Sequence, residues 1–102
     1  MNKEEYIFTV LSEECSEVAH AVSKTIRYGL NEHHPDRETT NEEELRVEIC
    51  HFFAMVEMLT EEGILKEIPE EEKLAIVREK KHTVQRYMEV SRRIGTLIDL
   101  KE

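Results

Sequence analysis

Glycine and proline fall at only five of 102 positions, Gly29, Pro35, Gly63, Pro69 and Gly95. No other feature constrains the chain as much. Between these breakers run stretches of 20 residues and more with no residue that forces the backbone out of a helix. β-Branched residues are scattered among them rather than alternating with polar ones, so strands are not expected. The pattern predicts an all-α protein with three main helices and a long loop between the first and second. The first helix is expected from about Lys3 to Tyr28, with Asn2 and Glu5 offering a capping box and Gly29 a stop. The loop "GLNEHHPDRETTN" follows, longer than a small domain usually needs for a crossover. It is read equally as a plain connection or as a cover for a substrate. The second helix is expected from about Glu42 to Glu61, with Asn41 and Glu44 as its capping signal and Gly63 as its end. The third begins at Pro69, carries Glu70, Glu71 and Glu72 at its positive dipole end, and runs to about Ile94.

Each helix has an apolar stripe, and in two of them acids interrupt it. Ile7, Val10, Leu11, Val18, Ala21, Val22 and Ile26 share one side of the first helix, with Glu14 in the gap between Leu11 and Val18. Leu45, Ile49, Phe52, Val56 and Leu59 mark the second, widened by Phe53 and Met55, and Glu48 falls in the same sector. The third stripe, Leu74, Val77, Val84, Met88, Ser91 and Ile98, includes Lys81, with Lys80 beside it.

Composition narrows the function. The formal net charge is −9 with histidines neutral. A surface of that sign repels nucleic acid and anionic membrane, so neither is an expected partner. It does accept a phosphate ligand if cations stand between the acids and the phosphates. No apolar run is long enough to span a membrane, and "MNKEEYIF" lacks a signal-peptide pattern. The two cysteines, Cys15 and Cys50, form no Cys-x-x-Cys motif. A single domain over 1–102, with reduced thiols and a cytoplasmic location, is therefore expected. Wide apolar stripes on so short a chain also predict a homo-oligomer, dimer or tetramer.

The acids have a spacing that chemistry can use. Residues three and four apart share a helix face, so Glu14 and Glu17 are neighbours with Glu13 flanking them, and Glu48 neighbours His51. Antiparallel packing of the two helices would bring these groups together. Clustered carboxylates repel one another unless protons or cations neutralise them. Oxygen-rich sites of this kind suit Mg²⁺ or Mn²⁺.

"EECSE" at 13–17 followed by "EICH" at 48–51 resembles the motif pair of the all-α nucleoside triphosphate pyrophosphohydrolases, the MazG-like superfamily. That pattern is Glu-x-x-Glu, often preceded by a further Glu, on one helix and Glu-x-x-Asp on the next. Glu14 and Glu17 match the first half, Glu13 its extended form, and Glu48 the second. His51 departs from the pattern, standing where the family has Asp. The resemblance spans about residues 3–90. It implies a helix-bundle homo-oligomer that cleaves the α–β phosphoanhydride of a nucleoside triphosphate, giving a monophosphate and pyrophosphate. It further implies metal binding by Glu14, Glu17, Glu48 and His51, with Mg²⁺ (or Mn²⁺) as cofactor. Glu13 or Glu14 would act on the attacking water. Lys80, Lys81 and Lys24 would hold the phosphates, with Lys73, Arg86 and Arg27 as further cations.

Two other readings compete. Glu17–His20, Glu48–His51 and Glu79–His82 all have the Glu-x-x-His spacing of carboxylate-bridged di-iron bundles. The replacement of an acid by His51 also fits a non-catalytic helical dimer that binds a protein partner.

Overall fold

The structure is a computed structural model and describes residues 1–100. Among the described residues there are three helices and no strand: α1 (Lys3–Tyr28), α2 (Asn41–Glu61) and α3 (Glu70–Ile94). The chain divides into two compact units, Met1–Lys66 and a second that begins at Glu67.

In the first unit α1 and α2 form an antiparallel hairpin. At its open end Lys3 Nζ donates to Glu62 Oε1 at 2.6 Å. At its closed end Asn41 Nδ2 donates to the Gly29 carbonyl at 2.8 Å. Gly29 caps α1 with φ 103°, a left-handed value that side chains disfavour, and a Cβ there would come within 3.1 Å of Glu32 Cγ. The turn this permits is held by Asn41 N–H to Glu32 O and Glu42 N–H to Leu30 O, at 2.8 and 2.9 Å.

The start of α2 corrects one expectation. Thr40, not Asn41, is the N-cap, and Glu43, not Glu44, completes the capping box. "TTNEEE" offers both registers. Tertiary structure chooses between them, because Asn41 is 4 % exposed and spends its amide on Gly29. Bonds from the Thr40 backbone N–H and then its hydroxyl hold the Glu43 carboxyl below its ordinary range. That contribution is complete above the ordinary glutamate value and is lost as pH falls through the lowered one.

The seam between the helices is lined by Ile7, Ala21 and Leu59, the three buried apolar side chains among the described residues. Val10, Leu11 and Val18 on α1, and Leu45, Phe52 and Met55 on α2, are half-buried beside them. Val22 and Ile26 do not join the packed face as expected, and Ile26 is 80 % exposed. At 3.6 residues per turn Ile26 points about 100° away from Ile7, outside the strip that one neighbouring helix covers. Phe53 is turned away from Leu59 in the same manner and is also exposed.

The second unit contains α3. Pro69 is its N-cap rather than its first residue. Leu74, Val77, Val84 and Met88 of its stripe are all exposed. At its end Gly95 takes the left-handed conformation, and the chain turns so that Arg92 Nε reaches both oxygens of Asp99 at 3.1 Å. Asp99 and then Glu89 push the Arg92 guanidinium still higher than its ordinary value.

Leu59 alone anchors the seam with no exposed surface, so Leu59→Ala should lower unfolding free energy by about 2 to 5 kcal/mol. Thr40→Ala removes only a cap and should cost about 1 kcal/mol. Urea denaturation of both variants measures the two; equal losses would show that the seam is not the core.

Candidate metal centre

The hairpin register brings Glu14, Glu48 and His51 to one place. One ligand atom from each lies within 4.8 Å of the others. His51 Nδ1 is 3.5 Å from Glu48 Oε2 and 3.8 Å from Glu14 Oε2. Helix geometry explains why these acids meet. Glu14 points within about 20° of Ile7 on α1, and Glu48 within about 20° of Leu59 on α2. Both therefore face the seam, where their side chains are only 21 % and 26 % exposed. His51 lies farther round α2 and closes the group from the rim, 55 % exposed.

Glu14 Oε2 is buried and has no hydrogen-bond partner. A buried carboxylate oxygen left so is costly, and native structures rarely tolerate one without a compensating group. His51 Nδ1, at 3.8 Å, is beyond hydrogen-bond reach of Glu14 Oε2. Two carboxylates and one imidazole around an orphaned oxygen are a donor set that fits a divalent cation. The imidazole shifts its preference from Mg²⁺ towards Mn²⁺ and other borderline ions.

The other expected site residues fall elsewhere. Glu17 is exposed and outside the converging group, since it points about 80° from Ile7. Glu13 is exposed as well, farther round the helix. Lys80 and Lys81 are exposed on α3, in the second unit. Lys24 is half-buried and lines a cleft of about 730 Å³ at the closed end of the hairpin. His20 lines that cleft and is not part of the converging group.

The sequence reading missed Arg37 and Glu44. Both line the cleft, joined by an ion pair of 2.6 Å. Glu44 Oε2 is the second buried oxygen without a partner. A signal was present, because Glu44 precedes Glu48 by one turn on the same side of α2. Arg37 had none, since its pairing is set by the loop. Comparisons of the chain with protein-family models, curated proteins and solved structures find no match.

Mn²⁺ added to the metal-free protein should raise the melting temperature, by about 4 to 8 °C for each kcal/mol by which binding stabilises the folded state at the metal concentration used. Glu14→Gln should abolish that rise while leaving the metal-free protein at least as stable, because it removes a buried charge. Differential scanning fluorimetry with and without metal checks both; an undiminished rise in the variant would remove Glu14 from the site.

Proposed function

We propose that the protein is a divalent-metal-dependent nucleoside triphosphate pyrophosphohydrolase of MazG-like type. The observation that carries this reading is the convergence of Glu14, Glu48 and His51, with an orphaned carboxylate oxygen at its centre. Three of the four residues that the motif resemblance assigns to metal binding are the three that meet, although Glu14 lies more than 30 residues before Glu48 and His51 in sequence.

In this reading Glu14, Glu48 and His51 hold the ion. Held there, a divalent ion would supply charge neutralisation for the triphosphate and for the charge developing on it during hydrolysis. One water is consumed: its oxygen bonds to phosphorus as the α–β P–O bond breaks, and nucleoside monophosphate and pyrophosphate separate. The water's proton passes to a carboxylate. With Glu14 committed to the converging group, Glu13 and Glu17 beside it are free to accept that proton. Lys24 lies two turns beyond Glu17 on α1 and meets the phosphates. Lys80 and Lys81 remain proposed cations on α3. The exposed stripe of Leu74, Val77, Val84 and Met88 supports association of α3 with a second copy of the chain.

Pyrophosphate release from a panel of nucleoside triphosphates, assayed with Mg²⁺, Mn²⁺ and no metal, tests the reading. Activity is expected only with metal. Glu14→Gln and Glu48→Gln should each lower it by about 100-fold or more, since even groups behind a metal ligand cost 10- to 100-fold. His51→Asp should raise the Mg²⁺-supported rate relative to the Mn²⁺-supported one. Release that is independent of metal, or none from any nucleotide, would overturn the assignment.

A further inference from the structure

The cleft at the closed end of the hairpin inverts the charge of its surroundings. Residues 1–66 carry fifteen acids and six basic residues. Three of those six, Lys24, Arg27 and Arg37, line this one cleft, against two acids, Glu32 and Glu44. Among the described residues Lys24 and Arg27 form no ion pair, although carboxylates are abundant on the same helices. Arg27 instead lies over the Tyr28 ring, 4.9 Å from its centroid, and bonds the Tyr28 hydroxyl at 2.9 Å. Two cations left free on a surface this acidic leave room for an anion from outside.

A bare anion does not satisfy the whole cleft. Arg37 occupies Glu44 Oε1, whereas Glu44 Oε2 is buried without a donor. That oxygen is reached from the cleft only when the Glu44 side chain turns, and it would then repel a phosphate and accept from a hydroxyl or amino group. Glu44 is itself one turn from Glu48, so the cleft continues the seam away from the metal group. Its volume of about 730 Å³ is in the range of small-molecule sites.

We propose that this cleft is a binding subsite for a phosphorylated ligand that also carries hydroxyl or amino donors, with Lys24 and Arg27 taking its anionic group and the Glu44 carboxylate turning on binding so that Oε2 accepts from its donors. Naming that ligand a nucleotide rests on the pyrophosphohydrolase reading. The loop between α1 and α2 is then a wall of the site, held in place by the Arg37–Glu44 pair and by Asn41 on Gly29. Glu44 becomes a specificity residue, favouring nucleotides over inorganic polyphosphate.

The test is performed on the full chain with a chelator present, so that neither the metal group nor hydrolysis contributes. The common ribo- and deoxyribonucleoside triphosphates and inorganic triphosphate are titrated by calorimetry and by NMR. At least one nucleotide should bind more tightly than inorganic triphosphate and shift amides within 20–44 most strongly. Replacing both cations (Lys24→Ala with Arg27→Ala) should weaken every probe by about tenfold or more. Glu44→Gln presents an amide donor in place of the acceptor, because Arg37 retains the remaining oxygen. It should weaken the nucleotide about tenfold and leave inorganic triphosphate within about twofold. Milder Lys24→Gln and Arg27→Gln variants serve if the alanine pair unfolds.

The proposal fails if no nucleotide shifts the cleft amides, if the cation variants bind as the natural chain does, or if Glu44→Gln affects both probe types alike. Loss of the pyrophosphohydrolase reading registers separately, as metal-dependent release that Glu14→Gln leaves intact. The chelated titration does not depend on that result.

Discussion

A carboxylate oxygen of Glu14 is buried in the seam between two helices with nothing bonded to it, and the arrangement of the first unit turns on this group. An apolar residue at position 14 would complete the stripe between Leu11 and Val18 and strengthen the hairpin. The chain forgoes that gain and brings Glu48 and His51 to the same point from the other helix. Burying a charge without a partner works against folding. The hairpin therefore leans on its remaining contacts: Leu59, Ile7 and Ala21 in the seam, the Lys3–Glu62 pair at one end and the Asn41–Gly29 bond at the other. A bound cation would convert the central liability into the strongest link between the helices.

Much of this was legible in the sequence, for a physical reason. The bounds of α1 follow from Asn2 and Gly29, and the structure gives Lys3–Tyr28 as expected. Glu14 and Glu48 stood out because they occupy apolar positions of a 3.6-residue period, and those are the acids that face the seam. Glu17 shares a face with Glu14 only loosely, and the same angular argument, taken strictly, puts it on the rim. The cap of α2 was not legible: Thr40 and Asn41 are equivalent as local signals, and a bond across the hairpin decides between them. The Arg37–Glu44 pair was hidden for the same reason, since loop geometry rather than helical period sets it.

The two features of the first unit divide the labour by charge. At the metal group acids dominate and call for a cation. About three to four turns along α1, unpaired Lys24 and Arg27 line the cleft and call for an anion. Under the proposed function, a triphosphate on a divalent ion would meet both requirements in one ligand, and the acidity of the chain as a whole would not exclude a phosphate substrate. Free Cys15 and Cys50, each adjacent in sequence to a member of the metal group, are exposed and lie outside it.

The most direct measurement is Mn²⁺-induced broadening of the imidazole signals of the five histidines, followed by NMR at substoichiometric metal. Mn²⁺ held by Glu14, Glu48 and His51 should erase the His51 signals first. His20, His33 and His34 should respond more weakly. Uniform broadening of all five, or preserved His51 signals while others vanish, would contradict the account.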